Sequence, residues 1–187
     1  MKSGVRRSRS PVKKLAQSFF QRPADEVAQA LIGKILVRRL HGKLLRARLS
    51  ETEAYLGPDD LASHASKGRT RRTEVLFGAP GRAYVYLIYG MYQMLNLVAG
   101  AAGQGQAVLI RGAVPLDDWK VDLSGPGRLS RAMEITRLQN GLDLTGTQLY
   151  FLDNPGYQPI VQSAKRIGID YALHWKDAPL RFIDATR

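Results

Sequence analysis

Alternating apolar and polar positions predict a chain whose middle is rich in β-strands. Segments 34–40 and 44–57 both alternate, and the His-Gly-Lys between them is typical of a tight hairpin turn. Segment 84–88 alternates with a period of two, whereas 106–115 is a nearly continuous apolar run that ends at a proline. A closing strand is predicted at 179–184. Most of the regular structure is therefore expected to be β-sheet.

Helices are predicted on either side of these strands. The first covers 23–33, with Pro23 near the first turn, acidic side chains behind it and Gly33 as the stop. The second follows a Gly-Pro-Gly turn and begins at about Leu129. The polar connection 57–81 is long for a loop without structure, so we expect a helical turn through His64 and a functional role. The fold class predicted from these elements is α+β, in a single domain.

Length and composition exclude several classes of protein. The chain has 187 residues, which is the size of one domain. It contains no cysteine, so disulfides and thiolate zinc sites are excluded and a reducing compartment is expected. The scattered histidines His41, His64 and His174 lack metal-ligand spacing, and no metal is expected. No secretion signal or membrane-spanning run is recognised, which predicts a soluble protein that is not secreted.

The charge of the chain predicts a polyanionic partner. The formal net charge is +12, from 28 Lys and Arg against 16 Asp and Glu, and nucleic acid is the first candidate. Six basic residues and no acidic one occupy the first fourteen positions. We therefore predict a basic, disordered arm at 1–16 ahead of a folded domain at 17–187. The pattern leaves open whether this arm contacts phosphates or only raises solubility.

Polar groups at the predicted strand ends supply the candidate chemistry. Glu51 and Glu53 share one strand face with Tyr55, a pattern that is usual on a solvated edge. Glu53, however, lies between apolar Leu49 and Tyr55, where the strand opens into the long loop, which favours a carboxyl group with perturbed protonation. Arg111 ends a buried strand and requires a carboxylate partner.

Aromatic rings and a predicted anion site are the remaining candidate functional groups. Segment 84–96 contains four tyrosines, of which Tyr84 and Tyr86 share one strand face. Backbone N–H groups after the Gly-Pro-Gly turn, together with Arg128, are expected to converge where an anion could bind. His64 and Asn96 taken singly are typical of a loop histidine and a backbone-bonded amide. An acid, an arginine, an amide and several rings together suit the binding of a purine and cleavage beside it.

Several ordered motifs resemble those of the alkyladenine (3-methyladenine) DNA glycosylase family. They are ETEAYLGPDD with His64, PGRAYVYLIYGMYQMLN, VLIRGAVPL, GPGRL, AKRIGI and PLRF. The resemblance extends from about residue 17 to residue 182. It implies a compact domain with a central, curved, antiparallel β-sheet flanked by helices and a protruding β-hairpin.

The resemblance also implies a role for individual residues. Glu53 would deprotonate a water that attacks C1′ of the target nucleotide, while Arg111 and the main-chain carbonyl of Ile167 hold that water. Asn96 would collide with the 2-amino group of guanine. The residues implied to line the base pocket are Tyr55, His64, Tyr86 and Asn96.

The implied partner is double-stranded DNA that contains damaged purines. Tyr89 would enter the minor groove as a wedge, together with Met91 and Tyr92, while Arg72 and Arg128 contact the DNA backbone. The resemblance implies a monomer without a cofactor, in the bacterial cytoplasm and nucleoid or the eukaryotic nucleus. Because the implied nucleophile is water, we expect a monofunctional enzyme that leaves an abasic site.

Two other functions fit part of the sequence. A non-catalytic nucleic-acid-binding module would stack bases on the same tyrosines, but it would leave Glu53 without a purpose. An N-glycoside hydrolase that acts on RNA or on small molecules would need the pocket but not the wedge. Excision from duplex DNA distinguishes both from a DNA glycosylase.

Overall fold

The computed structural model describes residues 12–186, which contain three α-helices and eight β-strands. Its α-helices are α1 (Gln17–Phe20), α2 (Ala24–Leu31) and α3 (Pro126–Ala132). Its strands are β1 (Ile35–Leu40), β2 (Lys43–Tyr55), β3 (Ala83–Ile88), β4 (Tyr92–Ala99), β5 (Gln106–Pro115), β6 (Leu149–Leu152), β7 (Val161–Ala164) and β8 (Arg181–Asp184). Short 3-10 helices occupy His64–Lys67, Glu74–Phe77, Arg137–Gln139 and Leu173–Asp177.

The strands form one curled antiparallel sheet with β2 at its centre. The order along the sheet is β3-β4-β5-β2-β1-β6, and β8 joins β2 while pairing with β7. Residues 43–48 of β2 pair with β1, whereas residues 51–53 pair with β8 along the same edge. Strand β5 covers the other edge of β2. The end of β2 is therefore held between two strands, and the predicted α+β class and curved antiparallel sheet are confirmed.

A β-bulge in β2 changes which side of the sheet its side chains face. Leu49 belongs to the hydrophobic core, but the register with β5 shifts between Leu49 and Thr52. After the bulge, Thr52 faces the core and its hydroxyl donates a hydrogen bond to the carbonyl of Ala28 in α2, at 2.8 Å. The side chains turned to the opposite face are Glu51, Glu53 and Tyr55. The expectation that Leu49 flanks Glu53 was wrong, because simple alternation does not include a bulge.

Both predicted hairpins turn through residues with positive φ. His41 and Gly42 join β1 to β2 with φ of 49° and 76°, as a type I′ turn requires. Tyr89 and Gly90 adopt φ of 51° and 68° between β3 and β4, and the N–H of Met91 donates to the carbonyl of Ile88 at 3.2 Å. The second turn places Tyr89 at the tip of the hairpin, where 83% of the residue is exposed.

The two predicted helices are present, one with an earlier start, while the short α1 was not predicted. Helix α2 covers Ala24–Leu31 and is followed by Gly33 at φ 84°. Helix α3 begins at Pro126 and not at about Leu129, because a proline is well suited to the first helical position. Arg128 therefore lies within the first turn of α3. The connection 57–81 contains the expected turn through His64 and a second 3-10 helix.

The described part of the predicted basic arm packs against the domain. The N–H of Leu15 donates to the carbonyl of Phe151 at 3.0 Å, and Leu15 is buried in the core. Lys14 forms a bridge with Leu152, and its ammonium group donates to the carbonyl of Gly146 at 2.6 Å. The ordered chain thus begins before residue 17, while the prediction for residues 1–11 lies outside the described residues.

None of the helices within residues 12–186 is long and apolar enough to cross a membrane.

Gly57 is predicted to be essential for the stability of the loop that follows β2. Its φ is +103°, and a Cβ atom there would lie 2.5 Å from the carbonyl oxygen of Gln104. We expect Gly57→Ala to lower the free energy of unfolding by more than about 2 kcal/mol, measured by urea denaturation. Gly42→Ala is the control, because Gly42 also has positive φ but its Cβ would meet no atom within 4 Å. Equal losses in the two variants would contradict the contact argument.

Candidate active site

A cavity of about 290 Å³ opens where β3, β4 and β5 meet the loops that follow β2 and β7. Aromatic rings form much of its wall, and Tyr89 stands at its edge. The residues predicted for a site that the structure brings together here are Tyr55, His64, Tyr86, Asn96, Arg111 and Ile167. The fold therefore assembles one pocket from segments that are far apart in the sequence.

Glu53 lies directly behind the wall of this cavity. Its side chain is fully buried, and its Oε2 accepts a hydrogen bond from the hydroxyl of Tyr55 at 2.9 Å. Its Oε1 accepts one from the main-chain N–H of Ile167 at 2.8 Å. Nη1 of Arg111 lies 3.4 Å from Oε2. All three partners line the cavity, so the carboxyl group is held at its base and not on a solvated edge.

Burial dominates the electrostatics of Glu53. Loss of solvation raises the pKa of its carboxyl group, and this outweighs the lowering by Arg111, by the N–H of Ile167 and by the hydroxyl of Tyr55. Burial also raises the pKa of the Tyr55 phenol well above its usual value, so that hydroxyl stays protonated and remains a donor. The site therefore contains a carboxylate that binds a proton more readily than an ordinary glutamate does.

Arg111 has the carboxylate partner that its position at the end of a buried run predicts. Its Nε donates to Oε1 of Glu51 at 2.9 Å, while its Nη1 faces Glu53. Arg181 of β8 donates to the same Oε1 of Glu51 at 3.0 Å. Glu51 thus anchors two guanidinium groups, which fixes the orientation of Arg111 towards Glu53.

The ring wall of the cavity is a connected cluster. The centroids of His64 and Tyr86 are 4.4 Å apart, and those of Tyr84 and Tyr86 are 5.6 Å apart. Nδ1 of His64 lies 2.9 Å from the hydroxyl of Tyr84. Burial, with a smaller effect of Arg72, lowers the pKa of His64 to about 4. The imidazole is therefore neutral near pH 7.

Asn96 is held by the main chain on its amide side. It is almost fully buried, and its Nδ2 donates to the carbonyls of Tyr84 and Met94, both at 3.2 Å. These bonds use both amide hydrogens, so the group that remains for a ligand is the acceptor Oδ1. The sequence interpretation of a backbone-bonded amide is confirmed, and the exclusion of guanine stays a prediction.

The predicted DNA-contacting residues of the hairpin differ in exposure. Tyr89 and Met91 are exposed at the tip, at 83% and 63%. Tyr92 is only partly exposed, because its ring packs so closely on α3 that a Cβ at Gly127 would lie 2.8 Å from it. Arg131 also lies over this ring, at 5.7 Å from its centroid. Tyr92 thus braces the hairpin, while the tip residues are free to contact a partner.

The two arginines predicted to contact the DNA backbone have partners within the protein. Arg128 forms an ion pair with Asp122 at 2.9 Å and donates to the carbonyl of Ser124. The guanidinium of Arg72 lies 5.6 Å from the centroid of Tyr86, beside the cavity. The Gly-Pro-Gly turn is the start of α3, where the first backbone N–H groups of a helix have no partner within that helix, and Arg128 lies in this turn, so the anion site stays a prediction. Contacts of both arginines with DNA stay a prediction.

Several residues of the site were not identified from the sequence. Tyr84 was assigned only to a strand face, yet it is fully buried and orients His64. Tyr171 lines the rim of the cavity with 68% of the residue exposed. Arg166 and Asp60 form a buried ion pair behind Tyr55. Adjacent acids in the loop and a basic residue before Ile167 were the available signals, but nothing in the sequence pairs them.

The histidine and acidic side chains of residues 12–186 form no group of three that could hold a metal ion.

Comparisons with known proteins agree on one family. A model of the methylpurine-DNA glycosylase family matches residues 18–187. A relative from Anaeromyxobacter sp. (strain Fw109-5) is 48% identical over 170 residues, which cover 90% of this chain and 88% of the relative. One from Methanocella arvoryzae is 46% identical over 184 residues, covering 91% and 92%. One from Legionella pneumophila (strain Lens) is 45% identical over 174 residues, covering 91% and 94%. All three are provisionally named 3-methyladenine DNA glycosylase.

Proposed function

Since the chain belongs to the methylpurine-DNA glycosylase family and is a DNA glycosylase of alkylated bases, we propose that it extrudes the damaged purine and hydrolyses its N-glycosidic bond with Glu53 as the base. The observation that carries this proposal is the buried carboxyl group of Glu53. It is held against a ring-walled cavity by Tyr55, Arg111 and Ile167. A base that enters the cavity would bring the C1′ atom of the attached sugar towards this carboxylate.

The proposed reaction uses one carboxylate and one water. Ionised Glu53 accepts a proton from the water as its oxygen attacks C1′ and the C1′–N bond breaks. The electron pair of that bond leaves with the purine. Alkylation at N3 or N7 makes the purine cationic and hence a good leaving group, so a second carboxylate as general acid is not needed. Arg111 and the carbonyl of Ile167 are proposed to orient the water.

The ring wall supports a preference for positively charged bases. Electron-rich faces of Tyr55 and Tyr86 favour a cationic purine over a neutral one by about 0.5–2 kcal/mol. His64 adds a flat ring without adding charge, because its pKa of about 4 keeps it neutral near pH 7. A protonated histidine in the same wall would repel the cation. The cavity is thus suited to cationic adenines such as 3-methyladenine, whereas deaminated or etheno purines and methylated guanines, which keep the 2-amino group that faces Asn96, are a further test of its range.

Base extrusion is proposed to depend on the β3–β4 hairpin. A glycosylase cannot reach C1′ inside a duplex, and flipping a nucleotide costs a few kcal/mol. The exposed ring of Tyr89 at the edge of the cavity can enter the minor groove and fill the space left by the base. The net charge of +12 supports binding of the DNA backbone. We propose that the protein acts as a monomer on duplex DNA.

The experiment that tests the function is a survey of single-lesion duplexes. Each duplex carries one methylated, deaminated or etheno purine and is incubated with the protein, then cleaved with alkali at abasic sites. We expect release of methylated purines and an intact undamaged duplex. Binding without release of any lesion would favour the alternative of a non-catalytic nucleic-acid-binding module. Release from free nucleosides or RNA alone would favour the third class.

The rate of excision is expected to fall on the acid side of neutrality. Glu53 acts as a base only when ionised, and burial places its pKa above the ordinary value of 4.5. The single-turnover rate on a 3-methyladenine duplex should therefore rise with pH through an acid limb centred above 4.5. Measurement between pH 4 and pH 8 tests this. A rate that stays constant down to pH 4.5 would contradict a raised pKa at the catalytic group.

The proposed enzyme is monofunctional. A bifunctional glycosylase forms a Schiff base through an amine, and no lysine is present among the described residues that line the cavity. Borohydride added during turnover should trap no covalent adduct with DNA, as seen by electrophoresis under denaturing conditions. A trapped adduct would show that an amine of the protein attacks C1′.

A further inference from the structure

A buried ion pair lies behind the cavity wall and has no part in the steps proposed above. Nη1 of Arg166 lies 2.6 Å from Oδ2 of Asp60, and Nη2 lies 2.9 Å from Oδ1. Both side chains are fully buried. Neither residue lines the cavity, so neither is placed to touch a bound base. The two parallel hydrogen bonds give the pair one fixed geometry.

The pair connects the end of β2 to two loops. Nη1 of Arg166 also donates to the carbonyl of Ala54 at 2.9 Å, and Nη2 donates to that of Trp175 at 3.3 Å. The carboxylate of Asp60 accepts from the N–H groups of Leu56 and Ala62, each at 3.1 Å. The loop after β2 and the segment 166–175 are therefore both fixed to the strand that carries Glu53.

Two of the hydrogen bonds to Glu53 come from neighbours of this pair. Ile167 follows Arg166 in the chain, and its N–H donates to Glu53 at 2.8 Å. The guanidinium of Arg166 lies 4.9 Å from the ring centroid of Tyr55, whose hydroxyl is the second donor. Arg166 therefore precedes one donor in the chain and contacts the ring of the other.

Stability alone does not account for a pair of this kind. Removing two charges from water costs several kcal/mol per ion, and apolar residues of similar volume often stabilise a fold as well or better. The two parallel hydrogen bonds between a guanidinium and a carboxylate specify one relative orientation of the groups that they join. Apolar packing does not specify an orientation in this way. A role in geometry is thus the stronger explanation for its presence beside the site.

We propose that Arg166 and Asp60 are positioning residues that hold the N–H of Ile167 and the hydroxyl of Tyr55 against the carboxylate of Glu53. The inference rests on the proposed role of Glu53 as the base. Without the pair, both donors would drift, and the buried carboxylate would lose hydrogen bonds that favour its ionised form. The charged and titratable groups that face Glu53 from the packed elements are Glu51 and Tyr55 of β2, Arg111 of β5 and Tyr86 of β3.

The test replaces the pair with apolar residues and follows the pH dependence of excision. Asp60→Leu combined with Arg166→Met keeps the volume similar and leaves no unpaired charge, so this double variant is expected to fold. We expect its affinity for a lesion duplex to be unchanged. The acid limb of its pH–rate profile should move up by about one pH unit. At a pH below that limb, the single-turnover rate should therefore be about tenfold lower than that of the wild type.

Two single variants serve as a second measurement and a control. Arg166→Lys keeps the charge but cannot form the two parallel hydrogen bonds with Asp60. It should move the acid limb in the same direction by a smaller amount. Arg38→Lys is the control, because Arg38 is also almost fully buried and donates to the carbonyl of Met133 in a different part of the fold. Arg38→Lys should lower the free energy of unfolding, while the acid limb of the pH–rate profile stays at the pH of the wild type.

The outcomes separate the positioning role from the role of Glu53. A folded double variant with the wild-type rate and limb would overturn the positioning role. If the double variant does not fold, Arg166→Lys decides, and an unchanged limb overturns the proposal. Glu53→Gln is measured in the same series. A wild-type rate for Glu53→Gln would refute the proposed function itself, whereas an inactive Glu53→Gln beside an unaltered double variant would refute only the positioning.

Discussion

Glu53→Gln is expected to lower the single-turnover rate of excision by about 10³-fold or more, because the amide cannot accept a proton from the attacking water. The carbonyl oxygen of glutamine can still accept the N–H of Ile167, and its amide NH2 can donate to the hydroxyl oxygen of Tyr55, which is the donor to Glu53 in the wild type. The shape of the pocket should therefore persist. Affinity for a duplex with a methylated purine, measured by fluorescence anisotropy, is expected to be retained.

The same substitution should not destabilise the protein at neutral pH. The folded-state pKa of Glu53 is raised by burial, so the folded protein binds this proton more tightly than the unfolded chain. Stability contributed by this group is thus present at low pH and is lost as the pH rises through the folded pKa. At neutral pH the ionised carboxylate opposes folding, and glutamine removes that cost. Urea denaturation of both proteins at pH 7 and at pH 4.5 measures the difference.

Glu51→Gln is the matched comparison for Glu53→Gln. Glu51 lies on the same strand face and binds the same Arg111, but it is also neutralised by Arg181. Glu51 accepts from the two arginines, whereas Glu53 accepts from Tyr55 and Ile167 of the cavity wall, so the loss of Glu51 is expected to reduce the rate far less than the loss of Glu53. Equal losses in the two variants would mean that the net charge around Arg111 matters and that Glu53 has no special role as the base.

Tyr89→Asn is expected to lower excision from duplex DNA by about 10- to 100-fold, because the ring that replaces the extruded base in the stack is lost. The variant keeps the hairpin intact. Asn-Gly is the favoured pair for a turn in which both central residues have positive φ, and positions 89 and 90 have φ of 51° and 68°. A loss of activity would therefore not result from unfolding of the turn.

Two controls isolate the wedge in the Tyr89 experiment. Tyr89→Phe keeps the ring and removes only the hydroxyl, so its rate on duplex DNA should remain near that of the wild type. Hydrolysis of a methylated adenine nucleoside needs no extrusion and should be the same in all three proteins. A wild-type rate of Tyr89→Asn on duplex DNA, or an equal loss on the nucleoside, would remove Tyr89 from base flipping.

Local chemistry in the sequence was sufficient for the β1–β2 hairpin and for several other strands. The alternation on both sides of His41 and Gly42 predicted β1 and β2, and the run before Pro115 predicted β5. Strand β4 was expected only as part of the hairpin that the resemblance implies, and β6 and β7 were not predicted. The last two become strands because β1 and β8 offer edges for pairing, which the residues of β6 and β7 themselves do not reveal.

The candidate site was predicted in its residue types and only partly in its geometry. The sequence indicated Glu53 and Arg111 because an acid beside an aromatic residue and an arginine after a buried run are unusual. It did not indicate that Glu53 is fully buried or that Leu49 faces the opposite side, since the bulge in β2 is not visible in the alternation. Tyr84, which the pattern assigned only to a strand face, proved to be the partner of His64.

The sequence by itself determined the properties that depend on neighbours along the chain. These include the excess of positive charge, the turns at residues 41–42 and 89–90, and the motifs that identify the methylpurine-DNA glycosylase family. Such properties need only residue type and short spacing.

Only the tertiary structure decided which groups surround the carboxylate. The N–H that binds Glu53 is 114 positions away in the chain, and Arg166 is 106 positions away from Asp60. Loop closure, strand register and the bulge in β2 together set these contacts, and none of them leaves a local pattern. The residue types of the site can therefore be identified from the sequence. The protonation of Glu53 and the geometry around it arise from burial and long-range packing in the fold.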